Sequence, residues 1–328
     1  MINGKNTVRA LFRAVKAPNA PSPYDTIQLK VYYPAKASTN DKSKGFGGFV
    51  PNTEQAPFPV VIFFNGINCS PDSYEWLAVD IATQGLIVVT FAWIAENLPG
   101  VISLTPGVNV QGWLPDNYGK VPTASALPAL LSELETLQNQ GVLSGLLDLQ
   151  RVILGGHSAG GRVAIESASP AFYPQLRGAF AYGSHTAAGV NLGYEPGTIL
   201  PLPDSLPLLL MGGTKDGVIA NNSHYYGVTW EEPTTPILRT FQAGISGGRG
   251  DSYLVLLEGA NHFAIAHPQH STTATSFLDF PMIQPEAETR AVIAAIARLF
   301  IQEQLGEEQA LQTFLSSNQP LIASSDWK

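Results

Sequence analysis

The sequence predicts an α/β fold, a mostly parallel central sheet with helices on both faces. Three observations predict it. Short continuous apolar runs recur along the chain, as strands covered on both faces require. Helix-patterned segments fall between them, as crossovers between parallel strands require. Gly 31 and Pro 25 among 328 residues supply turns and structured loops throughout.

Residues 26–33 (TIQLKVYY) alternate apolar and polar side chains, the period of a half-buried strand. A Gly/Ser/Lys/Asn stretch over 37–48 reads as a surface loop. Residues 59–64 (PVVIFF) are the first doubly buried run. Over 70–85, Leu77, Ala78, Ile81 and Ala82 stand at helical spacing, after a Ser/Asp-rich start and before a Gly stop. Residues 86–91 (LIVVTF) read as another buried strand, and 92–120 as an irregular overhang rich in Gly, Pro and Asn. A helix follows over 124–137, despite Pro128, then a strand over 151–155 (RVILG). Runs at 178–182, 206–211 and 253–257 are three more strands. Residues 288–305 (ETRAVIAAIARLFIQEQL) form the clearest helix, with a wide apolar face. Nothing marks a linker between two cores. One domain therefore spans 1–328, with its core over about 26–305 and an appended helix and tail over 306–328.

Composition excludes several classes of function. Hydrophobic residues make up 45% and charged residues only 13%, which suits a large core and not a disordered chain. A net charge of −8 offers no general attraction to nucleic-acid phosphates or anionic membranes. No apolar run approaches the ~18 residues needed to span a bilayer. The start of the chain lacks the basic-then-apolar pattern of a secretory leader. The expectation is a cytoplasmic protein that binds no nucleic acid and does not insert stably into membranes. Cys69 is the single cysteine, so neither an intrachain disulfide nor a Cys-rich metal site can form. The 6 His show no H-x-x-x-H spacing, and no metal or cofactor is expected.

Gly156-His157-Ser158-Ala159-Gly160 fits G-x-S-x-G, directly after the strand RVILG and before a helical stretch over 161–169. A Ser on such a strand-to-helix turn is pushed out of the sheet, and Gly156 and Gly160 leave room for the strained backbone. The helix N-terminus behind Ser158 favours developing negative charge. A Ser hydroxyl is a poor nucleophile unless a base takes its proton and a carboxylate orients that base. Asp216 follows the strand LPLLLMGGT, and His262 follows YLVLLEG. Both lie just past strand C-terminal ends, where parallel sheets place their sites. Ser158, Asp216 and His262 are therefore the candidate nucleophile, acid and base. Asp204 and Asp251 precede their strands and should sit at the wrong end, which leaves Glu258 as the back-up acid. His157 reads as a packed neighbour and His185 as a residue that could line the cleft, whereas His224, His267 and His270 read as solvated.

Acyl transfer builds negative charge on the substrate oxygen, and backbone amides should await it. The candidates are Ala159 and Ile67, the latter in the loop after PVVIFF, where Gly66 permits a sharp turn. Cys69 in the same loop reads as a small buried side chain. Trp93 and Trp113 in the 92–120 overhang are candidate substrate contacts, although such residues serve equally well as core. Residues 263–281 read as a second wall or lid, and Tyr225, Tyr226 and Trp230 could line the rim.

The segments PVVIFFNGINCSPDSYEWLAVDIATQGLIVVTF, GGHSAGG, GTKDGVIA and EGANHF resemble one branch of the α/β-hydrolases. That branch contains chlorophyllases, platelet-activating-factor acetylhydrolases, dienelactone-hydrolase-like proteins and cutinase-like polyester hydrolases. The resemblance covers roughly residues 55–300. It implies the α/β-hydrolase fold, with Ser158 as nucleophile, Asp216 as acid, His262 as base and Ile67 and Ala159 as oxyanion donors. Ala159 stands where plant-type chlorophyllases carry Arg, and Ser158 stands where dienelactone hydrolases carry Cys. The expected activity is serine carboxylic-ester hydrolysis of a small-molecule or lipid-like, fairly apolar ester. The alternatives are an acyltransferase or peptidase on the same triad, and a catalytically silent hydrolase fold that binds a lipid or partner.

Overall fold

The computed structural model describes residues 6–37, 49–98, 100–230, 232–307, 310–317 and 319–328. Beyond residue 37, the expected 37–48 loop lies outside them.

Eleven strands among the described residues build one sheet. They are β1 (Thr7–Lys16), β2 (Thr26–Ala37), β3 (Phe49–Pro51), β4 (Phe58–Phe64), β5 (Ile87–Leu98) and β6 (Val101–Leu104), then β7 (Leu147–His157), β8 (Leu176–Tyr182), β9 (Leu208–Gly213), β10 (Tyr253–Leu257) and β11 (Ile322–Trp327). The spatial order is β1-β2-β5-β4-β7-β8-β9-β10-β11, with β3 paired to β2 and β6 to β5. The six central strands, β5-β4-β7-β8-β9-β10, are parallel. The flanking pairs are antiparallel. The helices are α1 (Glu75–Ala82), α2 (Leu127–Asn139), α3 (Ala159–Glu166), α4 (Gly217–Asn221), α5 (Thr235–Arg239), α6 (Glu286–Gln304) and α7 (Ala310–Ser316).

The parallel strands are apolar on both faces because both faces are covered. All seven residues of β4 are buried. Val60, Ile62 and Phe64 point into one core with Leu130 and Leu134 of α2 and Val163 of α3. Val61 and Phe63 point the other way, into a core with Leu77 of α1 and Ile296 and Phe300 of α6. Pro128 falls in the first turn of α2, where its missing N–H breaks no helical bond. From β4 the chain crosses to β5 on one side and then returns to β7 on the other. The loops after β4 and β7 therefore diverge, which opens a crevice at the C-terminal end of the sheet.

Three elements depart from the sequence expectation. β1 pairs along its length with β2, yet its pattern TVRALFRAVK carries three basic residues and leaves Phe12 73% exposed, so it lacks the run of a buried strand. β5 continues past residue 91 and folds back on β6, so the overhang begins as a hairpin. The 306–328 segment is not an appended tail. Leu311 and Leu315 of α7 are buried in the second core, and β11 closes the sheet edge against β10. The core thus runs well beyond 305. IASSDW is too polar to announce a strand, and backbone hydrogen bonds to β10 organise it. No helix among the described residues is long and apolar enough to cross a membrane.

Removing residues 322–328 uncovers the edge of β10, all of whose side chains are buried. The expected outcome is a melting point lower by roughly 5 °C or more, with self-association through the bare edge. Thermal unfolding and size-exclusion chromatography check it, and an unchanged melting point would show β11 to be dispensable.

Candidate active site

β7 ends at His157 and α3 begins at Ala159, so Ser158 alone makes the turn. Its φ is 55° and ψ −127°, a conformation that a non-glycine residue holds only under constraint from its surroundings. Close packing supplies that constraint. A Cβ on Gly156 would stand 2.6 Å from the main chain of Gly160, and one on Gly160 would overlap the Asn65 carbonyl oxygen. The Ser158 N–H donates to the Tyr182 carbonyl at 2.9 Å, and the Ser184 hydroxyl donates to the Ser158 carbonyl at 2.7 Å. Among the described residues the Ser158 hydroxyl itself has no hydrogen-bond partner.

Asp216 and His262 are both buried and joined by a 2.7 Å hydrogen bond, Nδ1–H of the imidazole donating to Oδ2. The other oxygen, Oδ1, caps α4 by accepting the Ile219 N–H at 2.9 Å. Gly183 sits at φ 62° against the ring, where a Cβ would come within 3.0 Å of Nδ1. The turn after β8 thus holds the Ser158 backbone through Tyr182 and Ser184 and seats the His262 ring on Gly183. Ser158 and His262 line one cavity of about 520 Å³. Burial works to lower the imidazole pKa. The Asp216 charge and hydrogen bond, with the Asp279 charge, outweigh it and hold the pKa above the ordinary histidine value.

Asp279 was not legible as a site residue. It falls in the expected 263–281 lid, with no motif around it. In the structure its Oδ1 accepts the N–H groups of Gly217 (2.9 Å), Phe280 (3.0 Å) and His262 (3.3 Å), and its Oδ2 accepts that of Phe263 (3.2 Å). One carboxylate therefore ties the loop after Asp216 to the loop that carries His262. Burial, then the Asp216 charge, raise its pKa above the usual carboxylate value.

His157 is buried, and it does more than pack. Its Nε2–H donates to the His262 carbonyl at 2.9 Å. The neutral ring then presents a bare Nδ1, which accepts the Tyr74 hydroxyl at 2.8 Å. Tyr74 in turn accepts the Gly66 N–H at 3.3 Å. Burial, then the nearby His262 charge, keep the His157 pKa far below the ordinary value. This chain of hydrogen bonds connects the end of β7, the His262 loop and the loop after β4.

That loop carries Ile67. The Asn65 side-chain amide donates to the Gly66 and Cys69 carbonyls at 3.0 and 3.1 Å and pins the turn. The Ile67 amide has no hydrogen-bond partner among the described residues. Ala159 opens α3, where helix geometry leaves N–H groups without an intrahelical acceptor. Both residues line the cavity with Ser158. Cys69 is buried beside them, and burial pushes its thiol up to about 11, so it is no rival nucleophile near neutral pH.

Trp113 lines the cavity and donates Nε1–H to Glu166 Oε2 at 2.6 Å. Trp93 does not reach it. Trp93 is 7% exposed within the first core and donates to the Tyr24 carbonyl at 2.7 Å. The strand period decides this: β5 turns Trp93 inward and Ile94 out to solvent. Tyr225, Tyr226 and His185 lie on the cavity wall, and Trp230 is buried behind, stacked on Tyr226 at 5.0 Å. Glu258 is exposed and takes no part in the Asp216–His262 pair. No protein-family model matches the chain, and a search of curated proteins finds no match either.

Two outcomes are expected. Replacing Tyr74 by Phe leaves the buried Gly66 N–H and His157 Nδ1 without a partner and should cost about 1–3 kcal/mol in denaturant unfolding. In an NMR titration, His262 should take up its proton above the ordinary histidine value. The Asp279→Asn protein should protonate at lower pH than the parent, and Asp216→Asn at lower pH still. An unmoved titration in both would show that neither charge reaches the ring.

Proposed function

We propose that the chain is a serine carboxylic-ester hydrolase with the α/β-hydrolase fold, working without a cofactor on small-molecule or lipid-like esters. One observation carries the reading: the strained, unpartnered Ser158 and His262, whose ring is hydrogen-bonded to the buried Asp216, line one cavity. Their order along the chain, Ser158, Asp216, His262, and their places after β7, β9 and β10 match the template in which parallel strands deliver nucleophile, acid and base. The cavity volume of about 520 Å³ suits a ligand of moderate size. The proposal includes a cytoplasmic setting, which a single free cysteine suits.

The proposed steps use these groups in turn. Substrate binding brings the Ser158 hydroxyl and His262 Nε2 into contact, as sites without ligand often tighten only on binding. Oγ attacks the ester carbonyl while Nε2 takes its proton. Asp216 holds the imidazolium in place. The amides of Ile67 and Ala159 stabilise the tetrahedral oxyanion. Collapse expels the alcohol, which receives the proton from Nε2. Water then attacks the acyl-enzyme, again losing its proton to His262, and the acid leaves with Ser158 restored.

Ser158→Ala should lower kcat/KM for p-nitrophenyl esters by roughly 10³-fold or more, in protein whose unfolding is unchanged. A fluorophosphonate should label the parent at Ser158 and leave the variant unlabelled. Parent-like turnover in the variant would reject the mechanism.

A further inference from the structure

The turn that carries the Ile67 amide stands directly against Ser158. A Cβ on Gly66 would come 3.4 Å from that of Ser158. The Cys69 N–H donates to the Gly66 carbonyl at 3.1 Å, which closes a four-residue β-turn with Ile67 and Asn68 at its corner. Asn68 has φ 56°, and a positive φ at the third residue is what a type II turn requires, favouring Gly or Asn there. The base of the turn is pinned inward. Asn65 bonds the Gly66 and Cys69 carbonyls, and Tyr74 takes the Gly66 N–H. The corner is held less firmly from that side: the Ile67 carbonyl accepts from the Cys69 thiol at a long 3.6 Å. Ile67 and Asn68 are both exposed, so burial cannot fix them.

Asn68 fixes the corner from outside. Its N–H donates to the Leu104 carbonyl at 2.7 Å, and its Oδ1 accepts the Leu104 N–H at 3.1 Å. Leu104 lies opposite Ile94 in the β5–β6 hairpin, and Val101 and Ser103 of β6 line the cavity with Ile67. Two hydrogen bonds therefore clasp the turn to the strand that forms one wall of the cavity. Any residue other than proline could supply the N–H half. The other half needs an acceptor side chain on a backbone held at positive φ. Asn meets both demands, where Gly meets only the second.

We propose that Asn68 is a positioning residue for the oxyanion: by clasping Leu104 it fixes the corner of the turn, and with it the Ile67 amide, against the β6 wall. The inference deepens the ester-hydrolase reading and rests on it. An amide aimed at developing charge acts from a narrow range of positions, and a shift of roughly 1 Å can cost on the order of 100-fold in rate. The clasp is exposed, so water replaces it in a variant and no buried group is left unpaired. Its loss is therefore felt in the placing of the amide and hardly in folding.

Asn68→Gly permits the same backbone conformation and removes the acceptor. In that variant kcat for p-nitrophenyl butyrate should fall about tenfold or more while KM stays within about twofold, the split of an interaction made in the transition state. Inhibition by a trifluoromethyl ketone, whose tetrahedral adduct with Ser158 carries the oxyanion, should weaken by a similar factor. Asn68→Asp restores an acceptor on a residue type that tolerates positive φ. In about 0.5 M salt, which screens its exposed charge, it should return kcat to within about threefold of the parent. Hydrogen exchange at the Leu104 amide should quicken in Asn68→Gly, which reads the clasp without turnover. Parent-like kcat in Asn68→Gly, a loss that appears as a raised KM, or an Asp variant as slow as the Gly variant overturns the positioning role. So does quicker exchange at Leu104 beside an unchanged kcat, since the clasp then positions nothing. Ester turnover by the parent and its loss in Ser158→Ala test the underlying reading, so the two failures are distinguishable.

Discussion

Helix α3 begins one residue after β7 ends, and that single-residue turn dictates where everything else in the site must stand. The turn is affordable only because glycines let the helix press against β4 and its own strand. Pressed that close, the helix start points at the crevice where the chain switches from β5 to β7. The loop after β4 then lies beside the hydroxyl, and the turn after β8 seats the imidazole. A larger residue at Gly160 would push the helix off the sheet and pull the candidate site apart, without touching the side chains of Ser158, Asp216 or His262.

A second constraint follows from burial. The Asp216–His262 pair is nearly free of solvent, so the loops that carry it cannot rely on water for their backbone partners. Protein groups take that part. Asp279 accepts amides from both loops, and His157 accepts from Tyr74 and donates to the His262 carbonyl. These contacts turn three separate strand ends into one rigid unit. They also set the electrostatics: two carboxylates beside one imidazole outweigh the desolvation that would otherwise strip its proton. The same low polarity keeps His157 and His185 neutral, which makes each a fixed donor and acceptor rather than a switch.

Legibility in the sequence tracked the strength of local pattern. β4, β9 and β10 announced themselves because a strand covered on both faces must be apolar at every position. The turn at Ser158 was legible because glycines two positions to either side of a Ser, straight after a buried strand and before a helix, form a local pattern. β1 and β11 were not, because an edge strand satisfies half its backbone groups with water and tolerates polar side chains. Trp93 was a plausible wall residue until the register of β5 turned it into the core. Asp279 lies in FLDFP, a stretch with no period and no motif. Its importance arises from three backbone amides, of Gly217, His262 and Phe263, that meet it only in the folded chain.

The sequence by itself determined the layered α/β architecture and the order of nucleophile, acid and base candidates along it. Both are properties of local composition and succession: apolar runs, turn residues, and polar side chains just past the runs. Only the tertiary structure decided which side chains share a cavity, which carboxylate orients the imidazole's loop, and which donors remain unpaired. Those depend on distances between segments far apart in the chain. Such distances are set by how strands register and how closely helices pack, and no local pattern encodes them.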